Sequence, residues 1–242
     1  MRRTTRILLL VGLALGGCGR GDAPVIDPGD GGEYSVRLDP TDFVATIDNP
    51  WLPFTPGSRW VYEGAYPDKV ERIEVLVTLH KRQIMGITAT VVRETETVNG
   101  ELVENTFDWY AQDRDGNVWY LGEDSKAFGD GGSVSRAGSW EAGEDGALPG
   151  IIMLGAPQIG EAYRQEFSPG EAEDMAEVIR SGESERVPFG SFDGLLVTRE
   201  WTPLEPNVVE QKYYAPGVGL VQEVTVQGGS DRAKLIEYEP AR

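Results

Sequence analysis

The sequence predicts a mainly β protein: an antiparallel meander forming a curled sheet, an open barrel or a sandwich, with little helix. Three observations carry this. Apolar and polar residues alternate with a period of two over run after run. The 31 glycines of the 242 residues fall mostly between those runs, where turns belong. The stretches joining successive runs are short, which favours antiparallel neighbours. Six Trp and nine Tyr are more than a disordered chain would carry.

Taken in order, the folded part is expected to begin near Tyr34–Phe43. "NPWLPFTPGSRWVYEG" follows, and its Trp51, Phe54 and Trp60 should plug one end of the core, with a strand at Arg59–Glu63. "VERIEVLVTLH" alternates so that Ile73, Val75, Val77 and Leu79 face one way and Glu74, Thr78 and His80 the other. Ile84–Val98 reads as its partner, and Asn99-Gly100 as a hairpin turn, because both residues tolerate positive φ. Strands continue at Leu102–Gln112, Val118–Leu121, Tyr163–Phe167, Leu195–Thr202, Val209–Ala215, Leu220–Gln227 and Lys234–Tyr238. Ser125–Pro149 is Gly-rich and acidic and resists assignment. Glu171–Arg180 has helical spacing, but its β neighbours tip it towards strand.

The N-terminus carries a different signal. Arg2, Arg3 and Arg6 precede an apolar run from Ile7 to Leu15, then the small residues Gly16 and Gly17, then the only cysteine, Cys18. Basic start, short apolar stretch and small-residue cleavage site are the order of a secretory signal. The run is too short to span a bilayer, which needs roughly 20 residues. Leu15-Gly16-Gly17-Cys18 resembles the lipobox of bacterial lipoproteins. That resemblance implies a signal peptide over 1–17, a lipidated Cys18 as mature N-terminus with a flexible tether over 18–33, and a single β domain over 34–242. Gly19, where Asp would imply inner-membrane retention, places the anchor in the outer membrane of a Gram-negative cell, or otherwise on the outer face of the cell membrane.

Charge narrows the partners. Residues 1–17 hold three of the 22 Lys and Arg and none of the 40 Asp and Glu, so a mature chain carries −21 against −18 for the whole sequence. Such a surface repels nucleic acid and anionic lipid. The membrane is expected as a partner only through the lipid anchor, alongside an unknown small molecule, glycan or envelope protein.

The most chemically loaded stretch is "DWYAQDRDGNVWYLGED". Asp113, Asp115 and Asn117 alternate as in the first half of an EF-hand loop, with Asp124 at the twelfth position, and could hold Ca²⁺. Gly116 is misplaced for that motif, and the competing reading is a hairpin with its turn at Asp115-Gly116. That register sets Gln112 opposite Trp119 and Tyr110 opposite Leu121. Trp109, Tyr110, Trp119 and Tyr120 then make both faces aromatic, giving either two-sided burial or an exposed ligand platform.

No catalytic residue stands out. His80 is the only histidine and falls on a polar face, no G-x-S-x-G elbow occurs, and no zinc, P-loop or dinucleotide pattern is present. Carboxylate pairs such as Glu141 with Glu144 and Asp145, or Glu171 with Glu173 and Asp174, follow from the abundance of acids. "YYAPGVGLV" resembles the closing hairpin of several uncharacterised secreted bacterial β proteins, a resemblance that transfers no functional residue. The sequence thus favours a non-catalytic binding or structural protein of the cell envelope, needing no cofactor. The alternatives are a carboxylate-based hydrolase of envelope glycans and a Ca²⁺-binding adhesin-like module.

Overall fold

The structure is a computed structural model that describes residues 34–65 and 69–241. The signal, Cys18 and the tether lie outside the described residues. Fifteen strands form one antiparallel sheet. In chain order they are β1 (Arg59–Ala65), β2 (Val70–Ile84), β3 (Ile87–Val98), β4 (Glu101–Gln112), β5 (Val118–Phe128), β6 (Val134–Ser135), β7 (Trp140–Glu141), β8 (Leu148–Met153), β9 (Ala162–Arg164), β10 (Glu166–Phe167), β11 (Met175–Val187), β12 (Gly190–Trp201), β13 (Val209–Ala215), β14 (Gly219–Gln227) and β15 (Arg232–Glu239). Two short 3-10 turns are the only helical segments among the described residues.

The strand order is β10-β8-β5-β4-β3-β2-β1-β15-β14-β13-β12-β11-β9, with β6 and β7 on the side of β5. It is a meander whose first and last strands are neighbours: β1 pairs with β15, Trp60 opposite Tyr238, and their rings stack at 5.2 Å. The two wings curl away from this pair. Their far edges, β9 and β10, are consecutive in the chain, joined through Gln165. One stretch therefore pairs with β11 at its start and with β8 at its end. The sheet is curled and not closed into a barrel, and this stretch is its seam. Gly150 lies against the seam, where a methyl group would overlap the Gln165 carbonyl. Tyr34 braces it from the N-terminal side. Its hydroxyl donates to the Pro149 carbonyl (2.6 Å), its ring meets Phe167 edge-on, and the Arg164 guanidinium lies over both rings.

Hairpin chemistry explains the long strands. Asn99 and Gly100 both have positive φ (53° and 84°), as expected of a two-residue turn. Met85 and Gly86 do the same (50° and 81°), a turn hidden in "QIMGIT". β2 therefore runs on to Ile84 and β3 starts at Ile87, rather than β3 starting at Ile84. The β2–β3 register breaks between Val77 and Lys81, which throws Leu79 out to solvent although Ile73 and Val77 are buried as their alternation predicts. His80 is exposed. Glu171–Arg180 is no helix: its second half opens β11 at Met175. β5 extends to Phe128, well past Leu121.

Gly150→Ala forces the β8 backbone away from the seam. We expect destabilisation of roughly 3 kcal/mol, read as a lowered melting temperature with a largely unchanged far-ultraviolet β signal at room temperature. A melting temperature equal to that of the unaltered protein would mean that the seam is not closely packed.

Candidate functional site

The concave face holds a hollow of about 90 Å³, open in part to solvent. Its walls are built from both wings: Trp60 and Tyr62 on β1, Val75 on β2, Val92 and Glu94 on β3, Asp108 and Tyr110 on β4, Lys212 and Tyr214 on β13, and Leu220 on β14. Leu52 and Phe54 come from the Pro-rich segment ahead of β1.

That segment is seated by a buried amide network. Gln112 Oε1 accepts the backbone N–H groups of Asp48 and Asn49 (both 2.9 Å), and Gln112 Nε2 donates to Asp48 (2.7 Å). Asn49 Nδ2 donates to the carbonyls of Gly116 and Leu154, while its Oδ1 accepts from Trp51 N at 2.8 Å. Phe54 is thereby set against Trp60 (5.8 Å) and Tyr110 (5.1 Å). This is the plug expected of Trp51, Phe54 and Trp60, with Phe54 and Trp60 forming part of the wall. Opposite it, Trp60 Nε1 donates to the Val218 carbonyl and the Tyr62 hydroxyl to that of Leu220. These bonds satisfy the polar tips of both rings and leave their apolar bodies to the hollow.

Around the hollow the inner face is acidic. Glu71, Glu96, Glu104, Asp108 and Glu123 are buried on the β2–β5 side, and Glu200, Glu210 and Glu223 on the β12–β14 side. Lys212 sits among the second group, 2.8 Å from Glu200 and 3.7 Å from Glu223. Burial alone would pull the Lys212 pKa down, but these two carboxylates outweigh it and hold the ammonium well above its ordinary value. Glu223 is pushed well above the usual carboxylate range by burial and by Glu210, with Lys212 opposing. On the other side, burial and the charge of Glu71 raise Glu96 to about 9, and Glu96 also shares a hydrogen bond with Glu71. Lys69 lies 3.2 Å from Glu71. Asp108 is raised to about 7 by burial, against the lowering effect of its bond from Tyr120.

The Tyr120 hydroxyl makes the proton arithmetic explicit. It lies 2.7 Å from Asp108 Oδ1 and 3.0 Å from Glu123 Oε2. One hydroxyl has one proton to donate, so it serves one of the two carboxyls at a time.

Glu94 and Asp108 present free oxygens to the hollow. Glu94 is half-buried, and no hydrogen bond from the described residues reaches its carboxyl. Burial holds its pKa well above the ordinary value, reinforced by Asp108, Glu104, Glu96 and Glu223. Asp108 is only 3% exposed and takes its single hydrogen bond on Oδ1.

The residues singled out in the sequence have other places. Trp109, Tyr110, Trp119 and Tyr120 are all buried, so they form no exposed platform. Only Tyr110 lines the hollow, stacked on Tyr120 at 4.7 Å. Trp109 is covered by the Arg82 guanidinium (4.0 Å), which is held by Glu141. The hairpin register differs by one from the expected one: Gln112 faces Val118 and Tyr110 faces Tyr120. The cause is Asp113. Its carboxylate accepts from the backbone N of Asn117 (2.9 Å), from Asn117 Nδ2 (2.9 Å) and from Trp119 Nε1 (2.7 Å), closing a three-residue loop with Gly116 at positive φ. Asp113 and Asn117 thus satisfy each other. Asp115 lies exposed in the loop, and Asp124 pairs with Arg136 and Lys126 further along β5. The four are not brought together, and no group of three or more Asp, Glu, His or Cys among the described residues is arranged to hold a metal. Glu144 and Asp145 are exposed in a loop, and Glu171 and Glu173 cap turn amides at Gly138 and Gly170.

No protein-family model matches the chain, and no curated protein matches it. Two solved structures are similar in shape. A protein from Bacteroides fragilis described as exported, with a YmcC-like fold, matches with a TM-score of 0.44 and 14% identity over 78% of this chain and 99% of its own. A protein from Parabacteroides distasonis described as a lipoprotein matches with a TM-score of 0.37 and 13% identity over 79% of this chain and 99% of its own.

The inner carboxyls set the sign of the pH dependence. A group whose folded pKa is raised binds its proton more tightly when folded, so its contribution to stability is full below the unfolded value and is lost as pH rises through the folded one. For Glu96 that window runs from the ordinary 4.5 to about 9. Stability should therefore fall as pH climbs through this range, and Glu96→Gln should flatten the fall, measured by urea titration at several pH values. Lys212→Met leaves Glu200 and Glu223 without their cation. It should cost about 3–5 kcal/mol at neutral pH and less at mildly acidic pH.

Proposed function

We propose that the chain is an exported lipoprotein, held to a membrane by acyl chains on Cys18, whose curled sheet holds a small molecule with an apolar body and has no catalytic role. One observation carries the binding role: a hollow walled by Phe54, Trp60, Tyr62, Tyr110 and Tyr214 and plugged at one end by a segment that a dedicated amide network seats. Core packing alone would fill such a space, since interiors close to near-crystalline density. The basic start, the short apolar run and the lipobox-like tetrad support the anchor. More than one acyl chain gives a stable attachment, at about 0.8 kcal/mol per buried methylene. The protein then stands on the outer face of the cell membrane, or in the outer membrane of a Gram-negative cell. The role needs no resident cofactor, and the acidic surface disfavours nucleic acid.

Mass spectrometry of the protein extracted from membranes tests both parts. Under denaturing conditions we expect residues 1–17 to be absent and acyl mass to be present on Cys18; an intact leader with a bare thiol refutes the anchor. Under native conditions a retained small molecule adds mass, and the bare chain mass counts against a tightly held ligand. Cys18→Ser should move the protein to the soluble fraction.

A further inference from the structure

Building on the binding role above, we infer that the ligand of the hollow is an organic ammonium, a cationic nitrogen carried on an apolar body. The wall combines two features that together suit this chemistry. Five aromatic residues, Phe54, Trp60, Tyr62, Tyr110 and Tyr214, line one space, and aromatic rings attract a desolvated cation. Among them stand the carboxyls of Glu94 and Asp108, from adjacent strands two residue pairs apart in register. Glu94 accepts no hydrogen bond from the described residues, and Asp108 Oδ2 accepts none although the residue is 97% buried. Acceptor oxygens at the wall of the hollow with no donor from the protein are available to a ligand.

The charges facing Glu94 decide the sign. Glu96 lies on its own strand, Asp108 and Glu104 on β4, and Glu223 on β14. Lys212 also reaches the wall, but its ammonium is committed to Glu200 and Glu223. An anionic ligand would therefore add to a field already crowded with carboxyls, and a neutral one would leave that crowding untouched. A cation lets Glu94 and Asp108 ionise together, and the alkylated form of an ammonium suits the rings because it carries little bound water. A metal ion suits the site less, because five of the wall residues are aromatic and only two offer carboxylate oxygens.

The probes are octyltrimethylammonium, 1-octanol and octanoate, each kept below micelle-forming concentration and titrated calorimetrically into the Cys18→Ser protein. We expect the ammonium to bind about tenfold or more tightly than either of the others. Its affinity should rise from about pH 5 to about pH 8 as the two carboxyls give up their protons on binding, visible as buffer-dependent heat. Glu94→Gln, which removes charge without removing volume, should erase the preference while leaving octanol binding unchanged, and Asp108→Asn should weaken it. Equal binding of all three probes, or a preference that survives Glu94→Gln with the fold intact by circular dichroism, overturns the ammonium assignment and leaves the binding role standing. Tighter binding of octanoate overturns it too and makes Lys212 the anchor. Failure of all three probes, octanol included, refutes the binding role itself.

Discussion

The molecule depends on keeping carboxyl groups inside a sheet. Strands β2–β5 and β12–β14 turn acidic side chains inward, where ionised carboxylates would repel one another in a medium that screens poorly. Two devices make this tolerable. Lys212 is inserted between Glu200 and Glu223 on one side, with its charge locked on by both. On the other side Glu96 and Asp108 hold their protons more tightly than usual, and the Tyr120 hydroxyl bridges Asp108 and Glu123. An apolar interior of the same volume would be easier to fold. The arrangement is thus an expensive way to build a core and an apt way to build a recognising surface.

Shape follows from connectivity. From β5 to β1 and from β15 to β11 every neighbour along the sheet is a neighbour in sequence, and at β1 and β15 the first strand meets the last. Such a ribbon twists and curls as strands are added. Here it curls until β9 and β10, one continuous stretch, form both of its edges. The exposed edge that an open sheet would offer for aggregation is reduced to this seam. Because the curl is held by the seam and by the Asn49–Gln112 network, the hollow keeps its width without being filled by side chains.

Much of the architecture was legible in the sequence, and the failures share a cause. Asn99-Gly100, the alternation of Ile73 and Val77, and the closing hairpin before Leu220 are local signals, and the structure follows them. Met85-Gly86 escaped notice because Met is rare at positive φ. Leu79 escaped because a bulge breaks the period that assigned it a face. The hairpin register slipped by one because the Asp113 carboxylate enlarges the loop, a side-chain effect that the Asp-Gly dipeptide does not reveal. The candidate site was the least visible part. "RETETV" and "ELVENTFDWY" carry Glu94, Glu96, Glu104 and Asp108 at alternate positions, and such residues are ordinarily the solvent face of a strand. Only the curl, which sets Glu94 and Asp108 opposite Lys212 and Tyr214 from the far wing, turns them inward. Residues brought together from both ends of a chain leave no spacing to read.

The pairing of Trp60 with Tyr238 also bears on how the protein is made. A ribosome delivers the chain from its N-terminus, so one flank of β1 stays without its mate until β15 has emerged. Joining such distant segments is entropically slow. The sheet therefore completes itself only when both wings are present, although the hairpins within each wing can form as they appear.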